Sequence, residues 1–253
     1  MSGSSSRTCQ SNQQWSGSQP SCGRVSCPTL SAPAHGSISG SHYYGDRVTF
    51  SCSAGYFLQG SSSRTCQSNR QWSGTQPTCQ RKSCPTLTAP ADGNIQGTTF
   101  LYTDVITFSC NTGYELSGSP SRECQSNQVW SGSQPRCNRK LCQELSALNN
   151  GQVSGGHAYG DVATFTCNTG YELQGDATRT CQADQQWSGA QPVCARKACV
   201  TLDPPANGAV YGGHLYGDTV TFTCDVGYQM TGASTVTCQD IQTWTAGSPT
   251  CDS

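Results

Sequence analysis

The spacing of eighteen cysteines constrains this chain of 253 residues more than any other feature. Cys27, Cys52, Cys66 and Cys79 are separated by steps of 25, 14 and 13 residues. The sets Cys84, Cys110, Cys124, Cys137, then Cys142, Cys167, Cys181, Cys194, then Cys199, Cys224, Cys238, Cys251 repeat those steps, with one extra residue between Cys84 and Cys110. Trp15, Trp72, Trp130, Trp187 and Trp244 recur every 57 or 58 residues. Self-similarity at such a period marks a tandem array rather than one large core. Four complete repeats are expected at 27–79, 84–137, 142–194 and 199–251. Residues 1–22, in which Cys9 and Cys22 bracket Trp15, read as the C-terminal half of a truncated repeat.

A repeat of this length buries too little apolar surface to be comfortably stable alone, because cores this small supply about 3 to 5 kcal/mol. Paired cysteines closing loops of roughly 28 and 40 residues would each add about 3.5 to 4 kcal/mol, though overlapping loops do not add fully. Four cysteines allow three pairings, and spacing does not choose among them. Disulfides demand an oxidising compartment, so the chain is expected to be extracellular, either secreted or the ectodomain of a membrane protein. Residues Met1 to Arg7 hold no apolar secretory core. Met1 aligns with Leu58 and Met230, so the chain is expected to be a fragment of a longer array. Residues 1–22 hold two cysteines, Cys9 and Cys22, and are expected to be either poorly ordered or closed by a Cys9–Cys22 bridge.

Only 11% of residues are charged and the net charge is -1, so no global field recruits nucleic acid or an anionic membrane. No stretch approaches the roughly 20 consecutive apolar residues of a spanning helix, so no membrane insertion is expected in this segment. The pattern is all-β. Val48-Thr49-Phe50-Ser51-Cys52 alternates, placing Val48, Phe50 and Cys52 on one face, and equivalent strands precede Cys110, Cys167 and Cys224. Asp92-Gly93, Asn150-Gly151 and Asn207-Gly208 are turn signals, matched by His35-Gly36. Four-residue linkers, 23–26, 80–83, 138–141 and 195–198, predict an extended beads-on-a-string architecture with limited bending.

The recurring pattern Cys27-Pro28, Gly36, Tyr44-Gly45-Asp46, Val48, Phe50, Cys52, Gly55-Tyr56, Gly60, Cys66, Trp72, Pro77, Cys79 resembles the sushi module, also called the complement control protein repeat. The resemblance covers essentially the whole chain. It implies a string of small disulfide-stapled β modules, with the first cysteine paired to the third and the second to the fourth. That gives Cys27 with Cys66, Cys52 with Cys79, Cys84 with Cys124, Cys110 with Cys137, Cys142 with Cys181, Cys167 with Cys194, Cys199 with Cys238 and Cys224 with Cys251. It also implies that each tryptophan packs beside a bridge. The chain departs from the pattern at Gln143 and Val200, which replace Pro28 and Pro85, and at Thr103, which replaces the glycine of Tyr-Gly-Asp.

For chemistry the sequence offers little. There is no Gly-x-Ser-x-Gly, His-Glu-x-x-His or Gly-x-x-x-x-Gly-Lys motif, and there are four histidines in all, so no enzyme, cofactor or metal is expected. The Cys-x4-Cys steps at the junctions fall loosely within zinc spacing but read better as disulfide halves. In the family the stretch between the first and second cysteines is a variable, protruding loop. The resemblance therefore makes His42, Tyr43, Phe100, Leu101, His157 and His214 candidate contact residues, with Phe100 or Leu101 as exposed anchors. The default reading of such residues is ordinary loop or edge packing. The linkers hold seven of fourteen basic residues, Arg24, Arg81, Lys82, Arg139, Lys140, Arg196 and Lys197. This ladder could bind a sulfated glycan or an acidic protein by multivalency, or simply be solvated charge. The resemblance implies non-enzymatic recognition of extracellular proteins, complement-type or cell-surface. The alternative is a spacer within a larger mosaic protein.

Overall fold

The computed structural model describes residues 1–253, with twenty strands and no helix. The chain divides into two compact units, Met1–Ser109 with Ser117–Arg136, and Cys110–Leu116 with Cys137–Ser253.

In the first unit, β1 (Gly36–Ser39), β2 (Arg47–Cys52) and β4 (Ser63–Thr65) form a three-stranded sheet with β2 central, and β3 (Tyr56–Gln59) pairs with β5 (Thr78–Arg81). All pairs are antiparallel, in a register that sets Gly36 opposite Cys52, Ile38 opposite Phe50 and Leu58 opposite Cys79. The next repeat uses the same order. There β6 (Gly93–Gln96), β7 (Val105–Cys110) and β9 (Ser121–Glu123) form the larger sheet, and β8 (Tyr114–Ser117) pairs with β10 (Arg136–Arg139). In the second unit the larger sheets are β11 (Gly151–Ser154), β12 (Val162–Cys167), β14 (Thr178–Thr180) and β16 (Gly208–Tyr211), β17 (Thr219–Cys224), β19 (Thr235–Thr237). The smaller ones are β13 (Tyr171–Gln174) with β15 (Val193–Arg196), and β18 (Gln229–Thr231) with β20 (Thr250–Asp252).

The alternation read from the sequence decides the buried face. Along the central strands Val48 and Phe50, Ile106 and Phe108, Ala163 and Phe165, and Val220 and Phe222 are buried, while their neighbours face out. These cores are small. In the last repeat Val220, Phe222 and Val236 are enclosed, with Leu202, Val210, Met230 and Trp244 packed against them.

Eight disulfides, two per repeat, complete the cores: Cys27–Cys66, Cys52–Cys79, Cys84–Cys124, Cys110–Cys137, Cys142–Cys181, Cys167–Cys194, Cys199–Cys238 and Cys224–Cys251. Cys66, Cys124, Cys181 and Cys238 are among the most enclosed residues of their repeats. In residues 1–22 the outcome differs from a Cys9–Cys22 bridge, because both cysteines are exposed free thiols. That segment still forms local pairs, Ser2 with Ser21 and Cys9 with Trp15.

Turn chemistry sets the register. His35, Asp92, Asn150 and Asn207 all take the left-handed conformation, with φ of 58°, 55°, 58° and 60°, which Asn, Asp and His tolerate best among non-glycine residues. The glycine that follows is demanded by the bridge rather than by its own φ. A Cβ on Gly151 would stand 2.5 Å from the Thr166 carbonyl oxygen and 2.6 Å from Cys194 Sγ. Gly36 meets Ser51 O and Cys79 Sγ in the same way, and Gly208 meets Thr223 O and Cys251 Sγ. The second disulfide lies where a side chain would be. Replacing Gly151 with alanine should therefore destabilise its repeat by about 1 to 3 kcal/mol, the scale of overpacking a tight core. Urea unfolding followed by the Trp187 signal would measure it.

Thr103 keeps the left-handed turn that glycine makes elsewhere. Its φ is 72°, against 84°, 85° and 83° at Gly45, Gly160 and Gly217. A β-branched residue is strained there by about 1 to 2 kcal/mol, while glycine's extra chain entropy costs about 0.5 to 1 kcal/mol. Thr103→Gly should stabilise the second repeat by up to about 1 kcal/mol in the same unfolding measurement.

Candidate functional site

The loop and linker candidates converge at the junctions between repeats. After Cys79 the chain runs Gln80-Arg81-Lys82-Ser83 to Cys84. Lys82 donates its backbone N–H to the Gly55 carbonyl of the preceding repeat at 2.9 Å, and its own carbonyl accepts the Tyr102 N–H of the following one at 2.8 Å. Arg81 Nη1 donates to the Tyr102 carbonyl at 3.0 Å and to Asp104 Oδ1 at 2.5 Å. The other carboxylate oxygen accepts the Leu101 N–H at 2.9 Å. The Tyr102 ring lies over Gly55, where a Cβ would stand 2.3 Å from it, and meets Tyr56 edge-on at 5.7 Å.

The same joint recurs twice. Arg139 Nη1 reaches Tyr159 O at 3.0 Å and Asp161 Oδ1 at 2.6 Å, with Tyr159 over Gly113 and edge-on to Tyr114. Arg196 Nη1 reaches Tyr216 O at 3.1 Å and Asp218 Oδ1 at 2.6 Å, with Tyr216 over Gly170 and edge-on to Tyr171. Lys140 and Lys197 donate their backbone N–H groups to Gly113 O and Gly170 O, and their ammonium groups to Ala183 O and Asp240 O. At the first junction the geometry is looser. Arg24 stands 3.4 Å from Asp46 and lies over the Tyr43 ring at 4.4 Å, while Tyr44 is 58% exposed.

Arg81, Arg139 and Arg196 are therefore each bound to a carboxylate and a carbonyl, while Arg24 reaches a carboxylate alone. The aspartates carry the electrostatic signature. The Arg139 hydrogen bond and then the Ala158 N–H hold the Asp161 carboxyl below its ordinary pKa, and Arg196 with Leu215 does the same for Asp218. At Asp104 burial opposes ionisation, yet the Leu101 N–H, the Thr99 hydroxyl and Arg81 outweigh it, so its pKa is also lowered. Exposed ion pairs contribute about 0 to 1 kcal/mol. The joint is thus a positional device more than a source of stability.

The loop residues are also tied down. The carbonyls of His42, Phe100, His157 and His214 accept the N–H of Cys27, Cys84, Cys142 and Cys199 at 2.7 to 2.8 Å. His42 is half-buried and stacks on Tyr43, His157 is half-buried, and His214 is exposed. Leu101 pairs with Ser83 across a β-bridge and is half-buried. The exposure expected of Phe100 is not found, because its ring packs edge-on against Trp130 at 6.0 Å. Each indole N–H of Trp72, Trp130, Trp187 and Trp244 donates to a carbonyl next to the first cysteine, that of Pro28, Pro85, Gln143 and Val200. No cluster of three or more His, Cys, Asp or Glu side chains is placed to hold a metal ion.

One repeat carries a wide groove. In 142–194, segment 143–149 stands away from Arg179, Trp187, Gln191 and Pro192 and leaves about 680 Å³. In the two preceding repeats a glutamine spans this gap, Gln76 to Ser31 O at 2.9 Å and Gln134 to Thr88 O at 3.2 Å. Gln191 accepts from Arg179, as Gln76 and Gln134 accept from Arg64 and Arg122, but makes no bond to that segment. The segment has also lost two ring-fixed φ angles, since Gln143 and Leu148 stand where the first repeat has Pro28 and Pro33.

Sequence reasoning listed the linker arginines but missed their partners, Asp104, Asp161 and Asp218, and the glycines beneath the tyrosines. The signal was there, because Gly-Tyr, the linker Arg and Tyr-x-Asp each recur once per repeat. The folded aspartate pKa lies below the unfolded value. The clamp's contribution is thus present above the ordinary value of about 3.9 and is lost as pH falls through the lower folded value. The Ala158 amide resonance should titrate with a midpoint below about 3.9. Asp161→Asn should abolish that titration and speed tryptic cleavage after Arg139 and Lys140 about fivefold, with global unfolding little changed.

Comparison with known proteins agrees with this geometry. The family model "Sushi repeat (SCR repeat)" matches residues 27–79, 84–137, 142–194 and 199–251. The chain is 34% identical over 249 residues to the Rattus norvegicus "Sushi, von Willebrand factor type A, EGF and pentraxin domain-containing protein 1", covering 96% of this chain and 7% of that protein. It is 30% identical over 276 residues to Mus musculus P-selectin, covering 98% of this chain and 36% of the relative. Identity with Caenorhabditis elegans "Protein lev-9" is 33% over 264 residues, covering 98% and 42%. The chain thus spans less than half the length of these relatives. Four matched repeats, each closed by two disulfides, place the chain in the sushi-repeat family.

Proposed function

We propose that the chain is a non-enzymatic recognition array working outside the cell, as a secreted segment or part of an ectodomain, with extracellular or cell-surface proteins as its partners. The observation that carries this reading is the groove of about 680 Å³ in repeat 142–194. A length-setting stalk has no use for a groove that this repeat opens and the two preceding repeats bridge. The size lies within the range of ligand sites, about 300 to 1,000 Å³. Relatives that include P-selectin and E-selectin support an adhesive or recognition role. Proteins suit the surface better than sulfated glycans, because Arg81, Arg139 and Arg196 are each neutralised by an aspartate.

The spacer reading has its own support in the joint that recurs at Arg81, Arg139 and Arg196 with nearly constant geometry. The two readings separate in a cell-adhesion assay on the immobilised chain. Recognition predicts saturable adhesion that is lost after brief proteolysis of the cells and after reduction of the chain, and that persists with soluble heparin. The double variant Gln143→Pro, Leu148→Pro restores the prolines of the first repeat and should lower adhesion at least about tenfold, or 1.4 kcal/mol. Adhesion no higher than that of the reduced chain would favour the spacer.

A further inference from the structure

Beside the tryptophan, three repeats hold the same small crevice. In 27–79 it is lined by Leu30, Ile38, His42, Val48 and Trp72 and has a volume of about 110 Å³. In 142–194 the equivalent residues are Leu145, Val153, His157, Ala163 and Trp187, also about 110 Å³. In 199–251 they are Leu202, Val210, His214, Val220 and Trp244, about 150 Å³. The histidines that recur in register in the sequence, His42, His157 and His214, line them.

The remaining repeat shows what such a crevice holds. Phe100 occupies the histidine's place, as its carbonyl shows by accepting the Cys84 N–H just as those of His42, His157 and His214 accept from Cys27, Cys142 and Cys199. Its ring turns edge-on to Trp130, with centroids 6.0 Å apart and planes at 85°, a favourable arrangement of aromatic quadrupoles. Trp130 is then 6% exposed. Trp72, Trp187 and Trp244 make the same indole hydrogen bond but stay half-buried. The tryptophan is therefore set identically in all four repeats, and what varies is whether the chain supplies its own cover. The largest crevice, about 150 Å³, has the volume that a benzene ring fills; its wall is mixed, with Leu202, Val210, Val220 and Trp244 apolar and Thr201 and the Gly212-Gly213 backbone polar, so a ring would lie on the apolar side, as Phe100 lies on Trp130.

We propose that the crevices at Trp72, Trp187 and Trp244 are binding pockets for a phenyl ring, supplied as a phenylalanine side chain by a partner protein, and that Phe100 fills the fourth in cis. An aromatic anchor entering a small pocket is the type of contact that dominates protein interfaces. The proposal rests on the recognition reading only in taking the ring from a protein. The titration below can fail while cells still adhere, so the two are tested separately.

The test uses the full chain with ¹⁵N-labelled tryptophan, titrated with N-acetylphenylalaninamide. The indole resonances of Trp72, Trp187 and Trp244 should move and saturate with an apparent Kd of about 1 mM, as suits a fragment of this size, while Trp130 stays still. N-acetylalaninamide should move none of them. His157→Phe should silence Trp187 alone, and Phe100→His should make Trp130 responsive, a gain that misfolding does not mimic. No movement, equal movement of Trp130 in the unaltered chain, or a Trp187 response unchanged by His157→Phe would overturn the proposal. A response to benzyl alcohol but not to the blocked amino acid would assign the crevices to free small aromatics and overturn it as well.

Discussion

Two crossed disulfides per repeat are the constraint on which the rest of this structure depends. Each repeat encloses only a few large side chains, such as Val220, Phe222 and Val236 in the last. Closing loops with sequence separations of 27 and 39 or 40 residues removes enough freedom from the unfolded chain to make so small a core sufficient. The bridges also dictate sequence around them. The second disulfide occupies the volume beside Gly36, Gly151 and Gly208, so the turn before each glycine must reverse the chain without a side chain at that point. Left-handed His35, Asn150 and Asn207 supply that reversal.

The joint between repeats extends the same economy of parts. It needs one arginine, one aspartate, one tyrosine and one glycine, drawn from both repeats and the linker. No member contributes much free energy, since the ion pairs are partly exposed. Their value is geometric. The guanidinium bridges a backbone carbonyl and a carboxylate, and the second carboxylate oxygen ties the backbone of the same turn. A tyrosine ring over a bare glycine then fixes the approach of the two chain segments. Linker charge that would otherwise be free for an anionic partner is turned inward, which is why the joint weighs against a polyanion as the main ligand.

Much of the fold was legible in the sequence because cysteine spacing, two-residue alternation and Asx-Gly turns are local signals. The central strands through Val48 and Phe50, or Val220 and Phe222, follow from alternation alone. Pairing of the cysteines did not follow from spacing, and came from the family resemblance. The joint was written in the sequence only as scattered single residues, Gly55, Arg81, Tyr102 and Asp104, whose meeting depends on tertiary placement. Phe100 was misleading for the same reason. A large apolar residue in a loop reads as exposed unless the nearby indole is known to be within reach, and Trp130 lies thirty positions away in the chain.

Differences among the repeats fall where these shared constraints leave room. The positions that hold bridges and joints vary little, since a change at one strains several bonds at once. Segment 143–149 lies outside both devices. There Gln143 and Leu148 replace two prolines without disturbing the Trp187 hydrogen bond to the Gln143 carbonyl at 2.7 Å, and the result is an open groove. The lining position beside the tryptophan is equally free, because its backbone carbonyl, not its side chain, serves the fold. Histidine leaves the indole half-covered and phenylalanine seals it. Natural variation at that position therefore changes the surface a repeat presents without touching what holds the repeat together, which is the property an array of near-identical modules needs if its members are to recognise different things.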